Sequence, residues 1–412
     1  MMMVALLLVL HLGLAAALTS GIGWLALASW RRATDAHWAE RARLLWPARV
    51  SNNMLFFSIP AALTAVQLFE LPDLPLSYAY AGLAGFVGAA LGMWPLSHAI
   101  FPQMPFRRWL KEMVALAVIR LFTIGVLIVA GICMPWELGW SSLALAGGVL
   151  AMILWLIYGG TLQLLSITGT LTDAPPRLPA IVSEVAERMH LPLPKIGLLR
   201  GLGANAIAFP VVHTLVVTEG AMDALSDEEL ATVCAHEFAH LHEPKSVIAA
   251  RILTALAALP AIFIKPALQQ WDGFGCIALG VAMTLIARFS RNFRNRMEKR
   301  ADSMATVHEG DSPGTYARAL EKIYQVNQVP AVLSKSMVHP SLYDRLLAAG
   351  VTPSYPRPKP PAKFSWHRGF ALVLLMASVA AVVNQVMSTP STKPRSRPSK
   401  ATRWREPSGN PL

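Results

Sequence analysis

Long apolar runs constrain this chain more than any other feature of its sequence. They cover residues 4–30, 54–70, 78–101, 113–133, 143–167, 247–264, 274–290 and 369–388. A helix needs about 20 apolar residues to cross a bilayer, because it rises only 1.5 Å per residue. Most of the runs are that long. The run at 54–70 is short and contains Pro60. Only 15% of the chain is charged, against about 25% in soluble domains, so the deficit points the same way.

The net charge of +12 would suit nucleic acid in a soluble protein. Here the basic residues flank apolar runs, and no nucleic-acid motif accompanies them. Residues 31–53 carry Arg31, Arg32, Arg41, Arg43 and Arg49, and 102–112 carry Arg107, Arg108 and Lys111. The 71–77 and 134–142 loops carry no Lys or Arg. Such alternation is the positive-inside pattern, and it places the end of the fifth run in the cytoplasm. The first run has no basic start and reads as a span with its N-terminus outside. A cleaved signal ending near Ala26-Leu27-Ala28 is the alternative. Arg120 lies near one end of the fourth run, where snorkelling competes with a functional role. Eight spans would put the C-terminal tail outside, yet that tail is basic, which makes 54–70 and 369–388 the suspect spans. Cys133, Cys234 and Cys276 are too few and scattered for a disulfide framework and read as buried thiols.

The character changes at residues 168–246. A helical pattern runs from Ala180 to His190. Lys195–Arg200 and Ala206–Thr218 read as strands, the second bent or at an edge because of Pro210. Ser226-Asp227-Glu228-Glu229 is a capping box. The helix it opens carries His236-Glu237-Phe238-Ala239-His240, or HExxH, and Pro244 is positioned to end it. Histidines four apart share a helix face and can grip one zinc ion, with the glutamate beside its water. A catalytic zinc takes three protein ligands and keeps one open position. Glu298 is the candidate third ligand. Asp302, four residues on, would hydrogen-bond a ligand histidine. On sequence alone, both could equally be surface charges beside Arg296, Lys299 and Arg300. His339 and Arg345 could supply a donor to the transition state, although His339 also reads as a turn or cap residue. The paired runs at 247–290 form a membrane hairpin that returns Glu298 to the face carrying the histidines.

These residues carry a resemblance. Gly203-Ala204-Asn205-Ala206, Leu215-Val216-Val217-Thr218-Glu219-Gly220, the capped HEFAH helix, the Glu298-to-Asp302 ExxxD and His339-Pro340 through Arg345 are similar to motifs of the membrane-bound gluzincin metallopeptidases of the HtpX and CAAX-prenyl-protease type. The similarity covers about residues 180–345. It implies His236, His240 and Glu298 as ligands of one Zn²⁺ per subunit, Glu237 as general base and Asp302 behind the ligands. His339 and Arg345 become substrate or transition-state contacts, and Asn205 lies beside a strand that pairs with extended substrate.

The expected fold is thus a multi-pass α-helical membrane protein with a cytoplasmic α+β zincin (gluzincin) protease domain split by a transmembrane hairpin. Its parts are a membrane region (1–167, about five spans), a first protease part (168–246), the hairpin (247–290) and a second protease part (291–352). A Pro-rich linker (353–368), a last span (369–388) and a disordered basic tail (389–412) follow. The expected activity is zinc-dependent hydrolysis of peptide bonds in membrane-associated or misfolded polypeptides, at the cytoplasmic face of a lipid bilayer and without nucleic acid. Rival readings are a protease-sensor making one regulatory cut and a non-enzymatic protein with a degenerate zincin fold.

Overall fold

The computed structural model describes residues 2–70, 77–201, 203–310, 312–333 and 341–388. The basic tail and His339-Pro340 lie outside the described residues. Among the described residues up to 167 there are nine α-helical segments: α1 (Met2–Ala26), α2 (Ala28–Arg32), α3 (Trp38–Glu70), α4 (Ser77–Gly92), α5 (Trp94–Ile100), α6 (Phe106–Leu116), α7 (Phe122–Cys133), α8 (Trp140–Trp155) and α9 (Thr161–Ile167). Four helical stretches among the described residues are long and apolar enough to cross a membrane: Ala5–Ala26, Tyr80–Ile100, Trp140–Ile167 and Lys245–Trp271. Phe106–Ile119 and Phe122–Cys133 meet at 58° and make a fifth if they count as one span.

This is fewer than the eight apolar runs suggest. The run at 54–70 is the second half of α3, whose first half carries Glu40, Arg41, Arg43 and Arg49. Pro47 and Pro60 lie inside that helix without ending it. The last run is helical throughout as α17 (Trp366–Ser388). α1, α3, α4 and α17 pack as a bundle, α4 against α1 and α3, and α17 against α3. Gly88 and Gly92 let α4 approach α1 closely, since a methyl on either would collide with the backbone of Leu12 or Ala16, as is usual where helices meet without a solvent-driven apolar force. Two of the three cysteines depart from expectation: Cys133 is exposed and Cys276 half-buried, and only Cys234 is buried.

The segment that follows builds a four-stranded sheet in the order β1-β2-β4-β3. Its strands are β1 (Leu171–Asp173), β2 (Lys195–Leu199), β3 (Ala206–Phe209) and β4 (Thr214–Thr218). Residues 206–218 are therefore a hairpin and not one bent strand. The proline that suggested a bend opens a short 3-10 turn, Pro210–Val212, and His213 closes it with φ 47°. β3 pairs antiparallel with β4 and, among the described residues, has no strand on its other side.

Helix α10 (Arg177–Met189) and the sheet enclose one side of α12 (Asp227–Leu241). Leu230, Cys234 and Phe238 of α12 are fully buried with Val182 of α10 and Leu215 and Val217 of β4. Truncating Phe238 here would cost about 3–5 kcal/mol. The capping box forms as the sequence indicates: Ser226 Oγ accepts from Glu229 N–H, and Glu229 Oε2 accepts from Ser226 N–H. The helix stops at Leu241, and Pro244 instead caps the next one, α13 (Lys245–Leu256).

From Ile264 to Val307 the chain is helical (α14), but it is not a straight rod. A methyl on Gly275 would lie 2.8 Å from the carbonyl oxygen of Ala267. Eight residues of straight helix would separate the two by about 12 Å. The chain therefore folds back between these positions, and the rest of α14 returns to pack on α12. Two helices complete this part, α15 (Thr315–Val326) and α16 (Leu342–Ala348). The Pro-rich segment after α16 is not a free linker, since Tyr355 is buried against Trp38, His37 and Tyr343.

Candidate metal centre

α12 presents His236 and His240 on one face, and α14 brings Glu298 opposite. His236 Nε2 lies 3.6 Å and His240 Nε2 3.5 Å from Glu298 Oε2. One donor from each of the three lies within 4.8 Å of the others. Two ligands bound at 2.0–2.1 Å and the tetrahedral angle would sit roughly 3.4 Å apart. The donor set and its spacing thus fit a single divalent ion.

The outer nitrogens of both imidazoles are held. His236 Nδ1 lies 2.7 Å from Tyr316 Oη and 3.2 Å from Asp302 Oδ1. Tyr316 O–H donates to Asp302 Oδ1 at 2.8 Å, and Arg345 Nη2 donates to both Asp302 and Tyr316. His240 Nδ1 lies 2.8 Å from Glu243 Oε1, which also accepts from Arg251. Acceptors on Nδ1 place the proton there on both rings, which leaves each Nε2 lone pair aimed at the Glu298 side.

The electrostatics favour positive charge at this point. Burial pushes the pKa of His240 down, but its hydrogen bonds with Glu243 and Glu298 and the charge of Glu237 outweigh it and raise the value to about 9. His236 is likewise raised despite burial, through Asp302, Glu298 and Glu237. Burial raises the Glu237 carboxyl, against the pull of the two histidines and a backbone hydrogen bond. That bond comes from Ala208 N–H of β3 to Glu237 Oε2, at 2.9 Å. Burial also lifts the Tyr316 phenol well above its usual value, which keeps it a neutral donor. Cys234, two residues before His236, is buried and its thiol pKa raised by burial, so it is no competing ligand.

The centre opens into a cleft of about 450 Å³, a size that suits a short stretch of extended peptide. β3 forms one wall through Asn205, Ala206, Ile207 and Ala208. His236, Glu237, His240 and Glu298 line the floor, and Tyr316, Tyr324 and Arg345 stand opposite. Five sequence candidates, His236, Glu237, His240, Glu298 and Asp302, thus meet in one place. Asn205 lies on the cleft wall with an exposed side chain, its backbone paired to Thr218. Arg345 lines the cleft, but its guanidinium is committed to Asp302 and Tyr316. His339 lies outside the described residues. Nothing in the residue pattern points to Tyr316 or Arg251. Glu243 could have been found, because its position three residues after His240 keeps it within reach of that ring.

Two histidines from one helix and a glutamate from a second thus form, beside a sheet edge, a group that could hold a metal ion. Residues 174–351 match the model of peptidase family M48. The chain's relatives are of the HtpX type. It is 30% identical to a protease HtpX homolog of Aquifex aeolicus, covering 43% of this chain and 65% of that one. It is 26% identical to one of Nostoc punctiforme, covering 38% and 59%, and 27% identical to one of Methanothermobacter thermautotrophicus, covering 36% and 59%. The chain thus spans about three fifths of the length of these relatives.

Proposed function

We propose that the chain is an integral-membrane zinc endopeptidase acting on membrane-associated or misfolded polypeptides. The observation that carries this reading is the convergence of His236, His240 and Glu298 beside Glu237, in a cleft walled by a free strand edge. The three residues would hold the ion, and Asp302 and Glu243 would fix the rings that bind it. A bound zinc ion supplies Lewis acidity, polarising a peptide carbonyl and acidifying a water. Glu237 takes the water's proton and delivers it to the leaving amine, a task suited to a carboxylate that burial has made more basic. Outward-facing backbone groups of β3 pair with the extended substrate, with Asn205 at the edge of that contact. Arg345 holds Asp302 and Tyr316 in place, and any transition-state contact is secondary to that role.

Two contacts support a cytoplasmic active site. Arg49 donates to the carbonyls of Asn327 and Gln328, and Arg108 pairs with Glu219 at 2.9 Å. Both arginines come from the basic segments that the positive-inside pattern assigns to the cytoplasm, and both dock on the peptidase segment. The test is hydrolysis of an unfolded protein such as casein by the purified full chain. Glu237→Gln should abolish turnover while retaining bound zinc. Turnover that persists in this variant at equal metal content overturns the mechanism.

A further inference from the structure

β3 is an edge strand, and its backbone groups alternate between β4 and the cleft. Asn205 faces β4, since its carbonyl accepts from Thr218 N–H at 3.0 Å. By alternation, Ala204, Ala206 and Ala208 face outward. Ala208 N–H reaches Glu237. At Ala204 the outward positions are taken by a side chain. Asn327 Oδ1 accepts from Ala204 N–H at 2.9 Å, and Asn327 Nδ2 donates to Ala204 O at 2.7 Å. The amide satisfies donor and acceptor together, as a neighbouring strand would.

Asn327 is itself pinned. It is the C-cap of α15, where helix carbonyls lack partners. Gln328 follows with φ 50°, and Arg49 of α3 donates to the carbonyls of Asn327 and Gln328. A cation suits this end of a helix dipole. The same helix carries Tyr316 near its other end, on His236 and Asp302. One 12-residue helix therefore ties the metal centre to the substrate edge, and a helix of the membrane bundle anchors its end.

We propose that Asn327 is a positioning residue for substrate, which closes the edge of β3 at Ala204 and sets Ala206 as the outward residue left to pair, with Arg49 holding Asn327 from α3. The inference rests on the protease reading for its consequence in turnover. It is tested in the full chain, in detergent or lipid nanodiscs, with a short peptide and an extended one sharing a scissile bond. Asn327→Ala should raise KM for the extended peptide about tenfold, the loss of two modest hydrogen bonds. Its kcat, its zinc content and its KM for the short peptide should stay within about twofold. Asn327→Asp keeps the acceptor but not the donor and should fall between. Arg49→Gln should shift KM in the same direction by less.

Amide hydrogen exchange of residues 203–208 gives a readout independent of catalysis, and it should accelerate in Asn327→Ala. Unchanged exchange overturns the clamp, and so does an equal loss of kcat for both peptides. A wild-type protein that cleaves neither peptide overturns the protease reading, while the exchange result still decides whether Asn327 holds the strand.

Discussion

His236 and His240, the two histidines of the candidate metal centre, are braced in different ways. His240 takes its carboxylate from Glu243, three residues further on, supported by Arg251 on the next helix. His236 takes Asp302 and Tyr316 from α14 and α15, with Arg345 of α16 behind both. One brace is local and the other joins three remote segments. The side chains of Arg345 and Asp302 are also largely buried, 11% and 20% exposed, whereas Arg251 is 44% exposed. The two braces should hold the metal alike and the fold unequally. A local brace can be lost with less structural effect, while a remote one also ties helices together.

The largest effect should come from removing what both sides share. Glu298→Ala should lower zinc affinity by more than the roughly 10–100-fold that loss of an outer hydrogen-bonding partner costs, measured by chelator competition. Unchanged affinity would remove Glu298 from the ligand set. Asp302→Ala should lower affinity about 10–100-fold and also destabilise the metal-free protein by roughly 3–5 kcal/mol, because Arg345 is left buried and unpaired. Glu243→Ala should cost similar affinity and about 1–3 kcal/mol of stability, because His240 loses a buried partner while Arg251 can turn to water. Equal stability losses in chemical denaturation would break the contrast. Tyr316→Phe should be the mildest change, about 1 kcal/mol, since Asp302 still lies 3.2 Å from His236 Nδ1.

Carboxylate and imidazole should titrate in opposite directions in the metal-free protein. Burial opposes it, but the His236 hydrogen bond and the Arg345 charge keep the Asp302 carboxyl below its usual 3.8. A depressed acid stabilises the fold above its unfolded pKa, and that contribution is lost as pH falls through the lower native value. His240 is raised from 6.5 to about 9. Its contribution is complete below 6.5 and lost as pH rises through about 9. Denaturation midpoints across pH should therefore fall at both ends, and Asp302→Asn should flatten the acid limb and, through His236, weaken the alkaline one.

Local sequence determined a definite part of this protein. Ser226 and Glu229 fix where α12 starts, and the four-residue spacing fixes that His236 and His240 share a face, because these depend only on backbone hydrogen bonds and helical pitch. Apolar runs marked the helices that can enter a membrane. The runs at 54–70 and 369–388 are helical within α3 and α17. The apolar runs also placed the turn of the 247–290 pair near where Gly275 meets Ala267. Glu298 and Asp302 showed only as an ExxxD pair that a basic helix face would explain equally well. What brings them to His236 and His240 is the fold-back of α14 onto α12. Tyr316, Arg251 and Asn327 carried no signal, because each acts through a partner distant along the chain, and such distances are set only when the helices pack.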